Sequence, residues 1–246
     1  MIWLNEKECT HRAASLPHLT ATTCREIFGY CQYRAASGFY WIRKPSPFNI
    51  TRVWCNFDTH EERYTIVGDE AMLINNTIIT QIPNLSKEFR LEFQLSIGTM
   101  DPEDGIGNLR DFFGVFSDDS KPLVLMQGEQ SADYYTTKQH KVVTSVTKEA
   151  AGAVDAFSGN VDLQMGFSWN NFTLVKWLDD TDETYKLDAY LNGKVMNTKE
   201  KLEDCQLFEN VVVKTGGATL PRTSYLRNFF IYNKFERKGS IEHSSP

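Results

Sequence analysis

From residue 69 onward, apolar side chains recur at every second position, and this period constrains the fold more than any other feature of the chain. Over residues 88–97, Phe89, Leu91, Phe93, Leu95 and Ile97 share one face, while Arg90, Glu92, Gln94 and Ser96 share the other. Val161, Leu163, Met165, Phe167 and Trp169 repeat the pattern. Tyr185, Leu187, Ala189 and Leu191 do so again and run into Asn192-Gly193, a strong two-residue hairpin signal. Further strands are expected over 72–79, 112–116, 123–126, 142–146, 172–178, 211–214 and 225–232. Strands with one wet face each imply an all-β fold, an antiparallel two-sheet sandwich of the jelly-roll kind. Phe93 and Trp169 are expected in its core. The competing helix, over 148–156, is weakened by Gly152.

The first 68 residues read differently. They carry eight basic and six acidic side chains, against 18 basic and 26 acidic in the remainder. Cys9, Cys24, Cys31 and Cys55 lie here, and Cys205 stands apart. Thr23-Cys24-Arg25-Glu26 has the spacing of a helix capping box, with Gly29 placed to end the helix. Phe39-Tyr40-Trp41-Ile42 and Arg52-Val53-Trp54-Cys55-Asn56-Phe57 flank a Pro45-Ser46-Pro47 turn and read as a hairpin. Trp41 and Trp54 are expected to build its core. The organisation is thus a small cysteine-rich module over 1–68, a β-sandwich over 69–236 and a polar tail over 237–246.

Four cysteines within 47 residues, with neither a Cys-x-x-Cys pair nor clustered histidines, fit a disulfide framework better than a zinc site. Four cysteines allow three connectivities. Cys205 makes the total of five odd. Bridges imply an oxidising compartment, yet Met1-Ile2-Trp3-Leu4 runs straight into charged residues without the apolar core of a signal peptide. The expectation is therefore a piece of a larger secreted or cell-surface ectodomain. Asn49, Asn75, Asn84 and Asn171 each begin an Asn-x-Ser/Thr acceptor. No apolar run approaches the ~18–20 residues of a membrane helix, so no membrane insertion is expected. The net charge of −6 argues against nucleic acid.

Two resemblances attach to particular residues. Thr23-Cys24-Arg25-Glu26-Ile27, Ser37-Gly38-Phe39-Tyr40-Trp41-Ile42 and Val53-Trp54-Cys55-Asn56-Phe57-Asp58-Thr59 resemble the opening of a fibrinogen-like domain, or of a fibrillar collagen C-propeptide. The resemblance implies a Cys24–Cys55 bridge and leaves Cys9 for Cys31. The Gly-Gly-Trp-Thr run of fibrinogen domains is absent, so their binding pocket and calcium loop are not carried over. Residues 79–89, 187–194, 208–213 and 225–229 resemble concanavalin A-like or laminin G-like jelly rolls of animal ectodomains. That resemblance implies a fold which hosts sugar binding, adhesion and hydrolysis alike.

Catalytic signatures are sparse. Jelly-roll glycosidases align carboxylates as Glu-x-Asp-x-x-Glu on one strand, whereas Glu92 is alone in its strand. His60-Glu61-Glu62-Arg63-Tyr64 lacks the second histidine of a zincin and is expected to be a solvated turn. Gly105-Ile106-Gly107 lacks the third glycine of a dinucleotide loop. Asp101/Glu103/Asp104, Asp118/Asp119 and Asp179/Asp180/Asp182/Glu183 are read as solvated turns rather than calcium loops. Tyr134-Tyr135 offers a sugar-stacking pair in a polar loop. No catalytic residue, cofactor or metal is assigned. The expected function is a non-catalytic extracellular recognition or adhesion module for a glycan or protein ligand. The alternatives are a structural spacer and, less favoured, a jelly-roll glycoside hydrolase.

Overall fold

The computed structural model describes residues 21–31, 35–43, 50–75, 77–96, 110–117, 122–130, 140–147, 154–161, 168–202, 208–216 and 224–234. Cys9, Asn49, Cys205, Tyr134-Tyr135, Gly105-Ile106-Gly107, the two acidic clusters at 101–104 and 118–119, and the tail over 237–246 lie outside them. The chain forms two compact units, residues 1–64 with 232–246 and residues 65–231.

The first unit is built on helix α1 (Cys24–Tyr30) and strands β1 (Gly38–Arg43), β2 (Ile50–Asn56) and the start of β3 (Glu61–Val67). Thr23 caps α1 by accepting the Glu26 N–H at 3.1 Å. Glu26 reaches back one residue past the cap, to the N–H of Thr22 at 2.7 Å. Two N-terminal donors are thereby satisfied, as a capping box requires, although the second lies one position early. Burial alone would raise the Glu26 carboxyl; hydrogen bonds from Tyr30 and Thr22 outweigh it and hold the carboxyl below its ordinary value. Cys24 and Cys55 are bridged, which ties α1 to β2. Cys31 is disulfide-bonded as well.

Strands β1 and β2 form the expected antiparallel hairpin, but its faces are the reverse of the expected ones. Tyr40, Ile42, Val53 and Cys55 point inward, and Phe57 beyond β2 joins them. Trp41 and Trp54 are only half-buried on the other face. The reason is the period of two: Cys55 must face the helix to reach Cys24, so Trp54 must face away. Phe28 of α1 stacks on Phe57 at 5.3 Å, and Tyr40 meets the same ring at 5.7 Å.

A second correction concerns residues 60–64. Asn56 Oδ1 accepts the N–H groups of Asp58 and Thr59 at 3.1 and 3.2 Å, and His60 takes a positive φ of 57°. This closes a hairpin that sends residues 61 onward into β3 rather than into a solvated turn. Glu62 and Tyr64 are buried, at 2% exposure each.

The second unit is a sandwich of two antiparallel sheets. Its further strands are β4 (Met72–Leu73), β5 (Ile78–Leu85), β6 (Phe89–Ser96), β7 (Arg110–Phe116), β8 (Pro122–Gln130), β9 (His140–Thr147), β10 (Val154–Val161), β11 (Asn170–Asp179), β12 (Thr184–Leu191), β13 (Lys194–Leu202), β14 (Phe208–Thr215) and β15 (Tyr225–Lys234). One sheet orders β15, β6, β11, β12 and β13, with β4 beside β15; the other orders β10, β9, β8, β7, β14 and β5. Asn192 (φ 50°) and Gly193 (φ 78°) make the β12–β13 turn, both in the left-handed region that a two-residue hairpin demands.

Three expectations shift here. The stretch 72–79 is two strands, β4 ending at Leu73 and β5 beginning at Ile78, and between them the Thr77 hydroxyl donates to Asn75 Oδ1. From 154 the expected helix is strand β10 instead, since pairing along β9 overrides local helix preference. The alternation ending at Trp169 does not make one strand: β10 ends at Val161 and β11 begins at Asn170, while residues 162–167 lie outside those described.

The core joins the sheets through aromatic rings. Phe93 and Phe172 are register partners and stack at 5.1 Å. Phe113 of the opposite sheet meets Phe93 at 4.6 Å and Phe229 at 4.9 Å. Phe93 is 3% exposed, as its place in the alternation requires. A cavity beside this cluster, lined by Phe93, Phe113, Val124, Met126 and Phe172 among others, measures about 10 Å³, room for no more than a water molecule.

Candidate functional site

The outward face of β6, β11 and β12 carries the polar half of the alternation, and there the second unit displays prepositioned chemistry. Gln94 is its hub. Its Nε2 donates to Asn171 Oδ1 at 2.7 Å, while its Oε1 accepts from Arg227 Nε at 2.7 Å and from Asn228 Nδ2 at 3.1 Å. Asn192, at the tip of the β12–β13 turn, accepts the Asn171 N–H on its side-chain oxygen at 2.8 Å. Its own N–H returns to the Asn171 carbonyl at 2.8 Å. The guanidinium of Arg227 lies over the Trp169 ring, 4.0 Å from its centre.

Local backbone explains the convergence. Along β15 the burial alternation slips by one residue, so that Arg227 and Asn228 both leave the core while Leu226 and Phe229 stay buried. Asn228 has a φ of 49°, and its N–H binds the Gly68 carbonyl at 2.6 Å. Asparagine tolerates this left-handed conformation better than most residues. The slip aims two side chains at Gln94 where a regular strand would aim one.

Trp169 thus takes a different place from the expected core position: it is half-buried just before β11 and stacked by Arg227. The arrangement presents a planar aromatic–guanidinium stack beside side-chain amides held by one another. Their remaining donors and acceptors face a surface where Asn171 and Asn192 are exposed. Neither Gln94 nor Arg227 stands out in the sequence; the one local signal is the Arg-Asn pair that interrupts the apolar period of residues 225–232.

Farther along the same face, Trp177 Nε1 donates to Asp188 Oδ2 at 2.9 Å, and the Lys186 ammonium lies 5.6 Å from the Trp177 ring centre. Lys186 also pairs with Asp179. That bond, with those from Thr181, holds the Asp179 carboxyl well below the usual carboxylate range. Asp182 is lowered too, chiefly by Thr184, whose N–H and hydroxyl bind it at 3.1 and 2.6 Å. These acids close a turn, and among the described residues no group of His, Cys, Asp and Glu is placed to hold a metal ion. Glu92 pairs with Arg90 at 3.2 Å.

Among the glycosylation candidates, Asn75 and Asn171 are exposed, and Asn84 is half-buried within β5 opposite Glu209. In the first unit, Glu62 Oε2 accepts the Cys24 N–H at 3.0 Å and Oε1 accepts the Tyr64 hydroxyl at 2.9 Å. Burial pushes the Glu62 carboxyl up, against the opposing pull of these bonds and one from Asn233. Burial also pushes the Tyr64 hydroxyl well up, with the Glu62 charge adding to it.

No family model matches the sequence, and no curated protein does. Solved structures with a similar chain path exist. A botulinum neurotoxin type G receptor binding domain shares 10% identity over 76% of this chain and 46% of its own, with a TM-score of 0.46. This chain thus spans less than half of that domain. A heptameric SAP-like pentraxin from Limulus polyphemus shares 10% identity over 70% and 75%, with a TM-score of 0.43. The VIP36 exoplasmic/lumenal domain, in its Ca2+/Man3GlcNAc-bound form, shares 8% over 76% and 84%, with a TM-score of 0.42. Among the described residues no helix is long and apolar enough to cross a membrane.

Proposed function

We propose that the chain is a non-catalytic recognition module of an extracellular protein, and that its second unit binds a glycan on the face formed by Trp169, Arg227, Gln94, Asn171 and Asn192. One observation carries this reading: the Gln94 amide is fixed between the Asn171 side chain and Arg227, and the Asn192 side chain is fixed on the Asn171 backbone N–H, beside the Trp169–Arg227 stack. Sugars present hydroxyl arrays flanked by flat C–H faces, so they are bound by amides with fixed orientation next to an aromatic plane. Locking the amides beforehand lowers the ordering cost of binding. The Cys24–Cys55 bridge supports an oxidising compartment, and it is the pairing that the fibrinogen-like or propeptide-like opening implies. Pairing of Glu92 with Arg90, and of Asp179 with Lys186, supports a binding rather than a hydrolytic role for this face.

A glycan array probed with the full chain, followed by titration calorimetry, tests the reading. The expected result is binding to a defined set of neutral or sialylated glycans, lost in Gln94→Ala and Trp169→Ala. An empty array would favour a spacer without its own ligand. Glycan cleavage during the assay would favour a hydrolase.

A further inference from the structure

The outward face of the β1–β2 hairpin is built from aromatic and guanidinium side chains in alternation. Phe39 is 44% exposed, Trp41 and Trp54 are half-buried, and Arg52 is exposed. The register sets Phe39 opposite Trp54, Trp41 opposite Arg52, and Trp54 opposite Arg63 of β3. Phe39 and Trp54 meet edge to face at 5.0 Å, and the Arg52 guanidinium stands 4.5 Å from the Phe39 ring centre. Arg43 continues the row on β1. Glu61 is the acid on this face among the described strand residues, at its far end, where the Thr59 hydroxyl donates to it at 3.3 Å.

Aromatic residues of this size are ordinarily spent inside a small module. Here Tyr40, Ile42, Val53, Cys55 and Phe57 fill the interior, and three large rings stay on the surface among arginines. The charge on this face is mostly positive: Arg43, Arg52 and Arg63 share it with one strand acid, Glu61, among the described residues, while Glu62 is buried on the other face.

We propose that this face binds an anionic polysaccharide, with pyranose faces against Trp41 and Trp54 and carboxylate or sulfate groups on Arg52. The guanidinium fork matches either anion with two parallel hydrogen bonds, which an ammonium does not. Cross-strand neighbours lie about 5 Å apart, so stacking and charge contacts alternate along the row as rings and anionic groups alternate along such a chain. The face shares no residue with the glycan surface of the second unit, and the two readings stand or fall separately.

The test is affinity chromatography of the full chain on immobilised dextran sulfate, alginate and neutral dextran under a salt gradient. Retention on dextran sulfate, alginate or both, with none on dextran, is expected; the split between the two identifies sulfate or carboxylate as the recognised group. Arg52→Gln should weaken binding about tenfold, the loss of one charge-assisted pair, and Arg52→Lys should restore it only in part. Trp54→Ala should weaken it similarly, with an intact Cys24–Cys55 bridge and unchanged circular dichroism as the check on folding. Arg25→Gln, which removes an exposed charge from α1, should leave it unchanged. Elution below physiological ionic strength, or indifference to both Arg52→Gln and Trp54→Ala, would overturn the proposal. Equal affinity for polyglutamate or for phosphatidylserine vesicles would overturn it too, because the rings would then add nothing to charge.

Discussion

Glu62 accepts the backbone N–H of Cys24 at 3.0 Å while standing directly opposite Cys55 in the β2–β3 register. One carboxylate and one disulfide thus hold the first turn of α1 to the same point of the sheet. Glu62→Ala leaves the buried Cys24 N–H and Tyr64 hydroxyl without this partner and should cost about 1–3 kcal/mol per orphaned group. Urea denaturation of the single variant measures it, and no loss of stability would remove Glu62 from this role.

The same residue sets a pH dependence. Burial raises the folded Glu62 carboxyl above its unfolded value near 4.3. Between those two values the native state holds a proton that the unfolded chain has released, so stability falls as pH rises. This contribution is fully present below the unfolded pKa and gone above the folded one. Urea midpoints from pH 4 upward should decline across this window in wild type, and the decline should shrink in Glu62→Gln.

The Cys24–Cys55 bridge closes a loop with a sequence separation of 31 residues. Replacing both cysteines with serine should cost about 2–5 kcal/mol, the range for native bridges in small modules. Peptide mapping without reduction should recover the linked pair from secreted protein; free thiols at both positions would contradict the structure.

Phe93 and Trp169 separate packing from display. Phe93→Ala opens a cavity among Phe113, Phe172 and Phe229 and should cost about 3–5 kcal/mol. Trp169 is half-buried, so Trp169→Ala should cost clearly less while removing glycan binding. Thermal melts beside binding isotherms read both, and equal destabilisation would return Trp169 to the core.

Glycan occupancy should follow exposure. Asn75 is exposed between β4 and β5, whereas Asn84 is half-buried within β5 and its Ser86 is buried. Site mapping of secreted protein should find Asn75 modified and Asn84 bare. Asn171 should be bare as well in any preparation that binds sugar, since a glycan there would cover the proposed surface.

Much of this architecture can be read from residue order alone. A period of two marks the strands, Asn192-Gly193 marks a hairpin, and Thr23 with Glu26 marks the start of α1, because each depends on neighbours a few residues away. Alternation says which residues share a face, but not which face is buried when both are apolar. In the β1–β2 hairpin that choice belonged to the bridge from Cys55 to Cys24, and it turned Trp41 and Trp54 outward. Glu62 looked like a solvated charge because its three partners, Cys24, Tyr64 and Asn233, are mostly remote in sequence. The Gln94–Arg227 bond spans 133 residues. It exists only because the sheet sets β15 beside β6 and Asn228 accepts a backbone conformation that turns its neighbour outward. Local periodicity settles what a strand is; which strands become neighbours, and what their outward side chains then hold, follows from packing across the whole sheet.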